Sequence, residues 1–522
     1  MNYAALFHAT LPETALEIAA LLVIIFDLGF LRRAAIKARI ITASLLGIAG
    51  CAAALWAVYA AGHEGLYGPD GNLLLSAWGS AAVAQIAILV LTVLTLLLLI
   101  DSDFTRNPGE YVAVVLMAAA GGLIIAAAQD LLVIFVGLEL LSLGLYILTA
   151  FAKKSGQSAE AAMKYYLFGG MSAAFLLFGF SYMYGLAGTT SLSGIQDAVA
   201  QSGPTPLLYV AWILIVVGLG FKVAAVPFHF WAPDTYEGAP APAAAFVASV
   251  SKVASFELLL IIGSNWLVFW PASNLPAEDT IRAFHQYDQT STRFAVILLV
   301  VATASMVIGN LAALAQSSVR RLLAYSAIAH AGYILLGVAT LPHAPTIAKD
   351  LPFDLVTLGT LGGSANAVLY YIVAYGLTTI GAFGVVGVIE RASGSDKLDS
   401  FLGLHKRNPL LAAVLLVLFL SLAGIPPLVG FWAKFNLFAA VLAVGAGKLP
   451  FALVALAIAM SAVSLYYYLQ VLKRAYVMPA ADETPIKAHP VTMAVLLAIA
   501  AAVLVLGCFP ALLQGWIANF YA

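Results

Sequence analysis

About fourteen stretches of this chain, each close to twenty residues and nearly free of charge, are long enough at 1.5 Å of rise per residue to cross a bilayer as helices. They fall near 12–32, 38–61, 80–100, 108–128, 130–151, 160–187, 207–228, 240–263, 293–315, 321–341, 364–390, 409–443, 450–475 and 489–513. Of the 522 residues 63% are hydrophobic and 9% charged, far below the roughly 25% charged residues of soluble domains. In hydrocarbon a helix satisfies its own backbone groups, so the expected fold class is an all-α polytopic membrane protein. A net charge of -1 with no basic tail argues against a nucleic-acid partner.

Charge placement tests the count, because basic residues concentrate in cytoplasmic loops. With the N-terminus outside, Arg32, Arg33, Lys37, Arg39, Arg106, Lys153, Lys154, Arg320, Arg321, Arg391, Lys397, Lys406, Arg407, Lys473, Arg474 and Lys487 fall inside, with Lys164 one turn into a span. Only Arg282, Arg293, Lys349 and Lys448 fall outside. Both termini are therefore expected on the outer side. The first apolar run holds Glu17 and Asp27 and is followed, not preceded, by Arg32 and Arg33, which reads as a retained span and not a cleavable signal.

Spans four to eight and nine to thirteen form two groups of five. Five is odd, so the second group enters the membrane from the opposite side, the arithmetic of an inverted repeat. The expected organisation is a three-helix segment over 1–107, a first repeat over 108–263, a connection over 264–292, a second repeat over 293–475 and a C-terminal helix over 476–522. The fourth helix of each group is interrupted. One runs Phe221-Lys222-Val-Ala-Ala-Val-Pro227-Phe-His229, with the helix expected to break five residues after the lysine, and the other Ala423-Gly-Ile-Pro426-Pro427-Leu-Val-Gly430 with Lys434 just beyond. Matched interruptions in two halves of a transporter-like chain point to the binding or transfer site.

Three basic residues remain, Lys222, Lys252 and Lys434, and all lie within spans. A charge kept in hydrocarbon marks function by default, whereas snorkelling to the interface serves only near helix ends. Glu139, in the fifth span, shares a helical face with Ser142 and Tyr146 and is the expected partner of Lys222 or Lys252. Burial disfavours an ammonium, and a carboxylate about 4 Å away restores roughly 4 kcal/mol at an effective dielectric of 20. Movement of such a carboxylate would load or unload one proton. Lys252 sits among Ser249, Ser251 and Ser255, which leave room for water.

Weaker candidates are His330, as a relay or a hydrogen-bonded bundle histidine, and His229, Asp234 and Glu237 beyond the first break, as a proton entrance or as loop caps. Glu257 either pairs with a neighbour or faces a cavity, and Glu13, Glu17 and Asp27 suit packing or subunit contact. Cys51 and Cys508 read as small buried hydrophobes. With no P-loop, no dinucleotide fingerprint, no HExxH and no cysteine cluster, no metal site, ATPase or redox cofactor is expected in this chain.

These motifs resemble the antiporter-like membrane subunits of respiratory complex I, the proton-pumping NADH:quinone oxidoreductase, and among them the N type. The residues that carry the likeness are Leu11-Pro12-Glu13, Gly137-Leu-Glu139, Phe221-Lys222 through Pro233-Asp234, Glu237-Gly-Ala-Pro240, Ser251-Lys252, Ser317 through Tyr333 including Arg320, Arg321 and His330, and Gly424-Ile-Pro426-Pro427 with Phe431 and Lys434. The L type is expected to continue into a long lateral helix, and the M type to carry a glutamate in place of Lys434. Multisubunit cation/proton antiporters share the broken helices and supply an alternative function, and a non-conducting structural subunit is another. The resemblance implies that Glu139 modulates Lys222, that Lys252 is the central relay and Lys434 the far exchange site. It further implies a bacterial inner membrane, partners among other complex I membrane subunits and lipid, and NADH, FMN, iron–sulfur clusters and quinone held by other subunits.

Overall fold

The computed structural model describes residues 3–521 except 62–64, 69–70, 204, 268–276, 342–352, 445–447 and 481–482. Lys349, the Arg282 side chain and the middle of the 264–292 connection lie outside the described residues. Among the described residues eleven helices are long and apolar enough to cross a membrane: Ile36–Ala60, Ser80–Leu99, Pro108–Ala127, Leu131–Thr149, Gly156–Ala187, Ala241–Trp266, Ser291–Ala313, Val319–Ala339, Gly363–Ser393, Lys448–Tyr476 and Pro490–Cys508. Shorter apolar helices, Pro206–Lys222 and the pair Pro409–Ala423 and Val429–Ala443, stand where spans seven and twelve are expected. Leu11–Ile25, continued by a π-helical turn over Phe26–Phe30, supplies the first. The fold is all-α and polytopic, as the apolar runs require. A small hairpin, Leu66–Tyr67 with Leu73–Leu75, lies between the second and third spans.

The first two spans are pinned to the fourth by a buried charge. Asp27, 2% exposed, accepts from Arg39 Nε and Nη2, both at 2.7 Å, and from the Gly109 backbone N–H at 3.2 Å. A fork of two parallel N–H donors plus a helix-start N–H compensates the carboxylate for lost water. This is the packing role expected of Asp27.

The eighth span is the axis of the molecule: its most apolar window is fully buried, and that of the tenth is 94% buried. The eighth packs on the third, fourth and eleventh spans. Its run of Ala and Ser from Ala241 to Ser255 allows neighbouring backbones to come close, the usual basis of helix association in lipid. The thirteenth span, by contrast, is only 22% buried and faces outward. Cys51 is buried as expected, but Cys508, at the end of the last span, is exposed among the described residues.

The interruptions differ from their expected form. The seventh span stops being helical at Lys222 itself, not five residues later, and resumes as a short helix at Trp231–Gly238. Ala224 adopts φ +57, and Val226 N–H donates to Ser305 Oγ of the ninth span at 2.9 Å. In the twelfth span Gly424 ends the first half at φ +87 and the second half begins at Val429. Each break frees carbonyls that a continuous helix would have satisfied, and in an apolar interior these need other donors.

Candidate proton-transfer site

The three intramembrane lysines are buried, with Lys222 7%, Lys252 1% and Lys434 5% exposed. Among the described residues none is in an ion pair. Each is held instead by the backbone and hydroxyl groups around a helix break.

Lys222 Nζ donates to Ser142 Oγ at 2.5 Å, and Ser142 in turn donates to the Leu138 carbonyl. Asp130 starts this helix by accepting from the Leu132 N–H at 2.8 Å, which sets Glu139 and Ser142 roughly two and three turns deep. Glu139 is half-buried and forms no ion pair with Lys222; it stands one turn from Ser142, on a helix whose Val136 and Leu143 are exposed. Ser142 is thus the direct partner of Lys222. Tyr146, one turn beyond Ser142, packs edge-on against Tyr165 with ring centroids 4.8 Å apart.

Lys252 Nζ donates to the Val223 carbonyl, the first residue past the end of the seventh span's helix. Phe221, the residue before Lys222, gives its carbonyl to the Trp231 indole N–H at 2.9 Å. The first break is therefore closed by a lysine from the next span and a tryptophan from its own second half.

The second break is closed from within. Lys434 Nζ donates to the Leu422 carbonyl at 3.1 Å, the Ala423 carbonyl at 3.0 Å and Ser461 Oγ at 2.8 Å, with the Tyr333 ring centroid 5.4 Å away. His330 Nδ1 meets Tyr371 Oη at 2.7 Å. Beyond them, Tyr333 accepts from Asn310 Nδ2 at 3.1 Å, and Tyr467 donates to Asn310 Oδ1 at 3.2 Å. Attention to charged residues alone passes over this hydroxyl and amide cluster, although Asn310 and the Tyr370-Tyr371 pair interrupt otherwise apolar runs.

The remaining candidates are scattered. Asp234 accepts from Lys164 at 2.8 Å and Arg321 at 2.7 Å, and Glu237 from Arg321 at 2.9 Å, an ion-pair network on the face that carries most of the basic loops. His229 stacks on Phe230 at 4.5 Å and its Nδ1 has no partner. Glu257, five residues after Lys252 on the eighth span, is fully buried beside Ser80 and Tyr521, and neither carboxylate oxygen is in hydrogen-bond geometry among the described residues. Among the described residues no cluster of three or more His, Cys, Asp or Glu is placed to hold a metal ion.

The sequence profile of the family described as NADH:quinone oxidoreductase/Mrp antiporter, transmembrane, matches residues 128–274, 279–348 and 350–461. The chain is 45% identical to NADH-quinone oxidoreductase subunit N 2 of Acidobacterium capsulatum, over 99% of both chains. The chain belongs to the antiporter-like subunits of complex I, type N. It is also 38% identical to subunit N 1 of Roseiflexus castenholzii, over 87% of this chain and 82% of that one. Among solved structures it is similar to a chain of respiratory complex I from Thermus thermophilus, with TM-score 0.73, 31% identity and coverage of 97% and 98%. It shares the fold of a chain of the Mrp complex from Dietzia sp., with TM-score 0.74 at 21% identity and coverage of 98% and 97%. The broken spans thus belong to a membrane-arm subunit of a translocase complex.

Proposed function

We propose that this subunit moves protons along Glu139, Lys222, Lys252 and Lys434, driven by quinone reduction in other subunits of an NADH:quinone oxidoreductase in a bacterial inner membrane, with the basic-loop face cytoplasmic and both termini periplasmic. The observation that carries the reading is that three buried lysines, none in an ion pair among the described residues, bind a hydroxyl or the freed carbonyls at two helix breaks. An amine in such a setting is charged or neutral according to where water and carboxylates stand, so it can pass a proton on without passing on a charge pair. His330, hydrogen-bonded to Tyr371, serves in this reading between Lys252 and Lys434. NADH, FMN, iron–sulfur clusters and quinone belong in this reading to neighbouring subunits, and lipid covers the exposed apolar faces.

The test is Glu139→Ala and Lys222→Ala in the assembled complex in membrane vesicles, scored for assembly, NADH oxidation and proton uptake. Loss of uptake with normal assembly is expected. Uptake unchanged in both variants overturns the relay. Proton movement driven by a Na⁺ or K⁺ gradient in place of NADH oxidation would establish cation/proton antiport instead.

A further inference from the structure

The eighth span carries a second ionisable group, which the relay does not use. Glu257 is fully buried, takes part in no ion pair among the described residues, and has neither carboxylate oxygen hydrogen-bonded among them. An ionisable group kept within a span marks function by default, and buried polar groups nearly always have a partner. Glu257 therefore calls for a partner that comes from outside the chain.

The position of Glu257 sets the side from which that partner arrives. The helix Ala241–Trp266 starts on the basic-loop face, so Glu257 stands about 7.5 Å beyond Lys252 in height, toward the opposite face. It lies beside Tyr521 and beside Ser80, the first residue of the third span. Tyr521 packs on the turn that precedes Ser80, where a Cβ on Gly79 would lie 3.7 Å from its ring. It follows the short helix Pro510–Asn519 and is held there by Phe520, whose ring centroid is 6.3 Å from that of Tyr59 at the end of the second span. Tyr521 is 45% exposed, so it joins a fully buried carboxyl to the surface opposite the basic loops.

The surroundings select what can bind. Burial disfavours a carboxylate, whereas hydroxyl donors and the first-turn N–H groups of a helix favour it. Opposed influences of this kind let a group both take and lose a proton. A metal cation fits less well: the N-terminus of the third span repels it, and the unbroken eighth helix frees no carbonyls around Glu257 to coordinate it. Along Ser80–Leu99 there is no charged side chain, and the eighth helix holds only Lys252 besides Glu257. Five residues apart, the two project from different sides of the helix, so a proton passes between them through water and not by contact. Ser255, between them in height, is buried with its hydroxyl out of hydrogen-bond geometry.

We propose that Glu257, with Ser80 and Tyr521, is a proton-release site on the face opposite the basic loops, supplied by Lys252. The Lys252 ammonium gives its proton through water to the Glu257 carboxylate, leaving a neutral amine and a neutral acid. The acid then gives the proton to water at Tyr521, hydronium leaves to the bulk, and the carboxylate is restored. The first transfer cancels two buried charges, which lowers the cost of keeping either one in the membrane. The site rests on the relay reading for its supply and gives the first repeat an exit of its own.

The site is tested in the assembled complex in vesicles with Glu257→Gln, which keeps the shape of the side chain and cannot carry the proton. Two quantities are read: proton uptake driven by NADH oxidation, and the infrared difference spectrum between resting and working complex. The expected result is a carboxylic acid C=O band, shifted in D₂O, that the parent shows and the variant lacks. Uptake is expected to fall severalfold, the exit at Lys434 carrying the remainder. Glu257→Asp, which keeps a carboxyl, is expected to restore the band and most of the uptake. Tyr521→Phe, at the rim, is expected to keep the band and slow uptake severalfold, and it tests the route even where Glu257→Gln fails to assemble. Uptake equal to the parent's in Glu257→Gln or Tyr521→Phe, or a spectrum that Glu257→Gln leaves unchanged, overturns the site. A band displaced by added Na⁺ at constant pH would reveal a metal cation there and overturn it as well. If Lys222→Ala and Glu139→Ala abolish uptake while Glu257→Gln does not lower it, the release site falls and the relay stands. If Glu257→Gln lowers uptake while those two do not, the relay falls and the release site stands.

Discussion

Lys252, on an unbroken helix, donates to the carbonyl of Val223, the residue just past the point where the neighbouring helix breaks. The protonation state of one span is thereby tied to the backbone of another. Lys252→Met keeps most of the side-chain volume but leaves the Val223 carbonyl unpaired, at a cost of about 1–3 kcal/mol. The variant is expected to assemble, to lose thermal stability by a few degrees and to lose proton uptake, while Lys252→Arg, whose planar fork does not fit a single carbonyl, does not rescue it. Thermal denaturation of the purified complex and proton uptake in vesicles check both parts.

Gly424 decides whether Lys434 can reach its carbonyls. A Cβ there would lie 2.9 Å from Lys434 Cδ, and φ is +87, a region side chains rarely adopt. Gly424→Ala should therefore cost about 1–3 kcal/mol and displace the lysine from Leu422 and Ala423. Proton uptake is expected to fall toward that of Lys434→Ala, with assembly less affected. Uptake equal to the parent's would show that Lys434 does not need this seat.

Ser142 stands where a Glu139–Lys222 ion pair was expected. A hydrogen bond involving a charged group contributes roughly 1.5–3 kcal/mol, equivalent to about ten- to a hundredfold in an equilibrium. Ser142→Ala is accordingly expected to lower proton uptake by at least about tenfold at normal assembly, by changing how Lys222 holds its proton. Ser142→Thr, which keeps the acceptor, is expected to retain most of the rate. The decisive comparison is Ala against Thr, since a packing defect would appear in the larger residue first.

How far the sequence discloses this arrangement depends on range. The crossings are legible because hydrocarbon thickness sets helix length, and the breaks because Pro removes a backbone donor that a helix needs. What closes the breaks is not legible. Aligning them on Pro227 and Pro427 sets Leu422 against Lys222 and Asp234 against Lys434, so the lysines are not symmetry mates although the interruptions are. Lys252 caps the first break across 29 positions in sequence and Lys434 the second across 11 or 12, contacts fixed by packing and not by any local pattern. Helix periodicity does put Glu139 on one face with Ser142, but it cannot say that the serine and not the carboxylate meets Lys222.

Asp234 separates structural from conducting charge. It joins Lys164 of the sixth span and Arg321 of the tenth, and so ties the second half of the broken helix to both repeats. All three side chains are partly exposed, at 29%, 41% and 28%, so water weakens each pair. Exposed pairs contribute little singly, and a three-membered network of this kind is worth about 1 kcal/mol. Asp234→Asn is expected to lower thermal stability or the yield of assembled complex modestly, more so at low ionic strength where the parent gains most from the network. Proton uptake per assembled complex should stay within about twofold of the parent, a difference small beside the tenfold of one 1.4 kcal/mol step. A larger loss at full assembly would mean that Asp234 exchanges protons and does not merely hold the broken helix in place.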